Sequence, residues 1–178
     1  MKTIKDLVRH SRFLIPRLIL IAIPVVYLIF AFLTYFDYFE SYLYPLRFIQ
    51  GKASSLTENI IIGPYPHYEE LQKLKEEYHV TEVISLLNLR LPQEKALYER
   101  ERGYSEKLGL QSISVPMEYL PVDSDSNKQG LGEIVSMIQK NRKGVFYIHC
   151  YLGKHRVNFV KKGLIAEGII QKDKNDSP

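Results

Sequence analysis

The one cysteine of this 178-residue chain stands in the stretch VFYIHCYLGKHRVNF, residues 145–159. His149 precedes Cys150, Gly153 follows three positions later, and Lys154, His155 and Arg156 close the run. With no second cysteine, Cys150 has no intrachain disulfide partner and is a candidate for chemistry. An apolar run ending in such a loop, with a helix after it, lets consecutive backbone N–H groups point at one centre, and the helix amino terminus adds partial positive charge. Gly153 lets the backbone curl. The planar fork of Arg156 can grip two oxygens of a phosphoryl group. The same field favours the thiolate of Cys150, placing a nucleophile for in-line attack on phosphorus, with His149 tuning it from behind. In this arrangement Tyr151, Leu152, Gly153, Lys154 and His155 would line the bound anion.

The surrounding elements must position that loop. GVFYIH, 144–149, reads as the strand leading into it, and the spacing of Val157, Val160 and Leu164 as the helix leaving it. Upstream, IIIG (60–63), VTEVISLL (80–87) and SISVPM (112–117) read as strands. Between them, HYEELQKLKEEYH carries a stripe of Leu71, Leu74 and Tyr78, with Pro66 suited to that helix's first turn. A second helix is predicted from Pro92 to about Leu108, and a third from Leu131, Ile134, Val135 and Ile138 at i, i+3, i+4 and i+7. The segment 118–127 reads as a loop, GPYP (63–66) as a turn, and GKASSLTEN (51–59) as a polar linker. Strands alternating with helices predict an α/β fold, a mostly parallel sheet flanked by helices. Ligands in such sheets bind beyond the carboxyl ends of the strands, which is where Cys150 stands.

Before this domain, LILIAIPVVYLIFAFLTYF runs from Leu18 to Phe36 without a charge. At about 1.5 Å per residue such a helix covers a bilayer core, and it is too long for an ordinary signal peptide. The implied organisation is a basic flank (1–17), a single transmembrane helix (18–36), an aromatic interfacial segment and linker (37–58), and a catalytic domain (59–178). Lys2, Lys5, Arg9, Arg12 and Arg17 precede the apolar run, and Arg47 and Lys52 are the nearest positive residues after it, so the amino terminus is expected inside and the domain outside the cytoplasm. The net charge of +4 is a weak pointer to anionic partners, equally accounted for by a membrane-proximal flank.

HCYLGKHR resembles the phosphate-binding loop of the cysteine-based protein tyrosine and dual-specificity phosphatases, His-Cys-x-x-Gly-x-x-Arg, and GKHR is similar to the atypical plant and fungal members. The resemblance implies a phosphocysteine intermediate, with Cys150 and Arg156 catalytic, and a protein tyrosine phosphatase-like fold from about Ile60 to Ile170. It also implies a general acid on a separate loop, for which Asp123 is chosen over Glu118 and Asp125. The family's hydroxyl after the arginine is replaced by Val157, and the chain ends 22 residues beyond Arg156 (178 minus 156), implying a minimal or shortened domain.

The expected substrates are a phosphorylated protein, a phospholipid head group or an inositol phosphate, with membrane lipid as a neighbour and no nucleic acid. The alternatives are a pseudophosphatase that binds phosphorylated ligands without turnover, and sulfur transfer from a cysteine in an anion loop. Neither a cofactor nor a metal is expected, since the sequence has no second cysteine and no His pair at ligand spacing.

Overall fold

The computed structural model describes residues 4–36, 38 and 50–171. Lys2, most of the aromatic segment (39–49) and the residues after 171 lie outside the described residues. Helix α1 (Ile4–Thr34) is followed by β1 (Ser54–Thr57), β2 (Ile60–Gly63), α2 (Tyr68–Tyr78), β3 (Glu82–Ser85), α3 (Pro92–Leu108), β4 (Gln111–Ser114), α4 (Asp125–Lys140), β5 (Phe146–His149) and α5 (His155–Ala166). The five strands form one sheet in the order β1-β2-β5-β3-β4, parallel except for β1.

Alternation along each strand sorts the side chains between two cores. Ile60, Ile62, Ile84, Phe146 and Ile148 pack against Ile134, Val135 and Ile138 of α4 and Val157, Val160 and Leu164 of α5. Ile61, Val83 and Tyr147 face the other way, onto Leu71 and Leu74 of α2 and Leu108 of α3. β5 is central, flanked in parallel by β2 and β3, and all four of its residues are buried. The loop after β5 is therefore held by the most constrained part of the sheet.

Several boundaries depart from the sequence expectation. β1 lies within the segment read as a linker. Its SSLT pairs antiparallel with β2 and carries a register shift between Ser55 and Thr57, and such polar, irregular edge strands show no apolar alternation. Tyr78 does not join the buried stripe and is 46% exposed, because the chain turns at His79 (φ 57°) and Val80 takes the place in the core. α2 begins at Tyr68, after Pro66 rather than on it, and the backbone N–H of its preceding residue, His67, donates to Glu70 Oε2 at 2.8 Å. β4 ends at Ser114, although Val115 N–H and Met117 N–H still donate to Ser85 and Leu86 carbonyls. α4 starts at Asp125, inside the expected loop, with the Ser124 side chain accepting from Asn127 N–H.

α1 covers the expected span as far as Thr34, two residues short of its end, and extends back to Ile4. Its stretch Pro16–Thr34, with mean hydropathy 2.4, is long and apolar enough to cross a membrane. Phe36 leaves that span: its ring packs edge-on against Tyr151 at 5.9 Å, joining a cluster built on Tyr65, Leu87, Leu97 and Tyr98.

Candidate active site

Cys150 follows the last residue of β5 and is 3% exposed. The loop curls back at once. Gly153 N–H donates to Cys150 O at 3.3 Å, and Gly153 adopts φ +66° with Gly63 and Pro64 so close that a Cβ would lie 2.5 Å from Pro64 N. A side chain there is excluded by both conformation and space. The outer carbonyls of the loop are tied down. Tyr151 O accepts from Tyr65 N–H (3.2 Å) and Gln50 Nε2 (3.3 Å), and Leu152 O accepts from Gly51 N–H (2.8 Å). A carbonyl fixed in this way turns the N–H of the same peptide in the opposite direction, leaving it free of that contact. GPYP, read as a plain turn, is thus one wall of the site, with Tyr147 Oη donating to Pro64 O at 2.6 Å.

Arg156 lies in the first turn of α5 and is 2% exposed. Its Nη1 donates to Glu94 Oε2 (2.8 Å), Leu86 O (2.9 Å) and Met117 O (3.3 Å), and Nη2 to Glu94 Oε1 (2.6 Å). Among the described residues Nε has no hydrogen-bond partner. The edge formed by Nε and the outer Nη2 hydrogen is the part of the fork left for a ligand. Burial would lower the arginine's pKa, but the Glu94 carboxylate, with a smaller contribution from the charge of the nearby Cys150, raises it above its ordinary value, and the guanidinium stays charged.

Behind the cysteine, the His149 imidazole is fully buried, stacked on Tyr147 (5.6 Å, 17°) and edge-on to Tyr65 (6.0 Å). Its Nε2 lies 2.9 Å from Oε2 of Glu101, also fully buried. Tyr151, Leu152 and Gly153 are half-buried, whereas Lys154 and His155 are exposed at the loop's rim. Val157 is fully buried in the same apolar cluster as Cys150.

The three acid candidates separate. Asp125 is a surface charge in the first turn of α4, 3.1 Å from Lys128 Nζ. Asp123 is exposed in the turn before that helix. Glu118 is half-buried and lines a cleft of about 390 Å³ with Asn88, Arg90 and Met117. The segment is pinned by Asn127, fully buried, whose Oδ1 accepts from Glu118 N–H (2.7 Å) and whose Nδ2 donates to Glu118 O and Val122 O (both 2.9 Å). Tyr119 reaches the loop, its ring 5.4 Å from His155 and 6.0 Å from the guanidinium carbon of Arg156.

Glu94, Glu101, Asn127 and Tyr119 escape a reading of motifs. A signal for two of them exists in α3, where Glu94, Leu97, Tyr98, Glu101, Ser105 and Leu108 share one stripe and carboxylates stand at core positions. Among the described residues no three His, Cys, Asp or Glu side chains converge as metal ligands would.

No family model and no curated protein matches this sequence. Solved structures do. A putative phosphatase (DUF442) from Shewanella putrefaciens aligns with TM-score 0.55 at 12% identity, over 68% of this chain and 74% of that one. The catalytic core of Siw14 aligns with TM-score 0.52 at 18% identity, over 67% of each chain. TpbA of P. aeruginosa aligns with TM-score 0.50 at 14% identity, over 65% of each chain, so the match spans just under two thirds of TpbA. A five-stranded sheet flanked by helices, with the cysteine loop at the carboxyl end of its central strand, gives this chain the fold of the cysteine-based phosphatases.

Proposed function

We propose that the chain is a membrane-anchored phosphatase that hydrolyses phosphate monoesters through a phosphocysteine intermediate. The observation that carries this reading is the state of Arg156: buried, charged, clamped on one side by Glu94, with its Nε edge unpartnered beside Cys150. A guanidinium held this way is arranged for an oxyanion next to the sulfur. The thiolate attacks phosphorus, the P–O ester bond breaks, and the leaving oxygen takes a proton from an acid on the 118–125 segment. Water, giving a proton back to that carboxylate, then attacks the phosphocysteine, the P–S bond breaks, and inorganic phosphate leaves with the thiolate and the acid both restored. Asp123 is our assignment for the acid, with Glu118, which lines the adjoining cleft, as the alternative.

The substrate class is a phosphorylated protein, a phospholipid head group or an inositol phosphate. A TpbA variant of the same fold was solved in complex with pTyr, which supports the first. The full chain in detergent is expected to release phosphate from an aryl phosphate in the presence of EDTA. Failure to release any would favour the binding-only alternative.

Val157 bears on that alternative. It offers no hydroxyl to the departing sulfur, so breakdown of the intermediate is expected to lag its formation, by up to about 10²-fold for one lost interaction. The expected trace is a burst of aryl alcohol followed by slow release. Val157→Thr should accelerate the slow phase and lower the melting temperature, since it puts a hydroxyl into a buried apolar site. Burst-free kinetics, with no gain in the variant, would remove the argument.

The apolar surface of α1, with Leu20 76% exposed and Tyr27 70% exposed in the bare chain, supports a lipid environment. With the basic residues before the span, the catalytic domain is assigned outside the cytoplasm. Protease added to intact cells or spheroplasts should reach it. Digestion only after lysis would reverse the orientation.

A further inference from the structure

Glu101 is a fully buried carboxylate to which the proposed reaction assigns no step. A carboxylate withdrawn from water is destabilising unless it is paired, and the group placed to pair with it is His149, 2.9 Å away. The contact is a close charge contact rather than a well-aligned hydrogen bond. Glu101 stands seven residues after Glu94, two turns along the same face of α3. One helix therefore reaches both ends of the loop: Glu94 holds Arg156 where the loop ends, and Glu101 meets His149 where it begins.

We propose that Glu101 is a positioning residue for Cys150, acting through His149. It fixes the imidazole against Tyr147 and holds it on the residue bonded to Cys150, at the start of the loop. A positive charge held on the residue next to the nucleophile favours a thiolate, which is what the pairing would supply. This inference rests on the phosphatase reading for its purpose, but not for its test.

The other groups around the pair do not substitute for it. Tyr65, from the turn after β2, and Tyr147, from β5, both face His149. Burial above all raises the pKa of each and keeps it a neutral phenol. Arg100 and Tyr104 on α3 act on Tyr65, with the Arg100 Nε donating to its hydroxyl at 3.2 Å, and Glu70 on α2 acts on Tyr147. Glu101 is the carboxylate in contact with the imidazole.

The test is the pH dependence of Cys150 alkylation by iodoacetamide in the full chain, which reads the thiolate without turnover. Glu101→Gln keeps the shape and removes the charge. Its labelling profile is expected to move to higher pH, with about tenfold slower labelling on the acid side. His149→Asn should show the same displacement, and Glu101→Gln added to His149→Asn should add nothing further. Glu101→Asp should recover part of the parent profile. An unchanged profile in folded Glu101→Gln, or a full effect of Glu101→Gln in the His149→Asn background, would overturn the role of Glu101. Should Glu101→Gln fail to fold, His149→Asn decides: a parent-like profile there overturns the proposal equally. Phosphate release by the parent is scored separately, so loss of the phosphatase reading and loss of this inference give different results.

Discussion

Cys150→Ser is expected to keep the fold, keep inorganic phosphate binding and lose turnover by at least about 10⁴-fold. The side chain sits 3% exposed at the end of β5, among neighbours that a serine of nearly the same size does not disturb. The parts proposed to bind the anion lie elsewhere, in the loop peptides fixed by Tyr65, Gln50 and Gly51 and in Arg156 fixed by Glu94, Leu86 and Met117. Removing the sulfur removes the proposed nucleophile, and a serine hydroxyl is far less acidic than a thiol, so it does not take over as an anion. Phosphate added to the variant should raise its melting temperature as it does in the parent, since a ligand that binds the folded state stabilises it by mass action. A residual rate within tenfold of the parent would show that the thiolate does not carry the reaction.

The loop was readable because its parts are contiguous. His149 to Arg156 span one turn of chain, and the types demanded at each place, a nucleophile, a glycine and a fork-shaped cation, are rarely combined for another purpose. The strands IIIG and FYIH were readable because burial on both faces makes them uniformly apolar or aromatic. β1 was not, because an edge strand with polar residues at Ser54 and Ser55 looks like linker until its partner is known. Glu94, Glu101 and Asn127 were hidden for a different reason. Each acts on a residue 9 to 62 positions away, or on a backbone group, and a glutamate on a helix normally reads as a solvated face. Only their positions within buried stripes mark them: Glu94 and Glu101 on the face that also carries Leu97, and Asn127 on the face that carries Gly130 and Ile134.

That buried face makes Glu94→Ala the substitution expected to do most damage short of the nucleophile. The ion pair is nearly dry, with side-chain exposures of 3% for Arg156 and 13% for Glu94. Truncating one partner of such a pair leaves the other charge uncompensated, at about 3–5 kcal/mol. Asn88 N–H, which also donates to Glu94 Oε2, loses its acceptor at the same time. A fall in melting temperature of more than about 10 °C should follow for a domain of this size. The pH dependence of the pair has a definite sign. Arg156 is the group whose pKa is raised, so its contribution is complete below the ordinary guanidinium value and is lost only as pH rises through the higher folded value. The pair should therefore be insensitive to that titration throughout the physiological range. Activity is affected separately. Leu86 O and Met117 O still hold Nη1, so the guanidinium stays in the site, but its free Nε edge is no longer fixed in direction. Misorientation of a gripping group of this kind is expected to lower kcat/KM by about 10²-fold. Glu94→Gln, which retains an acceptor for Asn88 N–H but not the charge, should fall between parent and alanine in melting temperature. Thermal melts together with kcat/KM for an aryl phosphate decide the matter: an alanine variant that matches the parent in both would show that Arg156 is positioned by the backbone carbonyls alone.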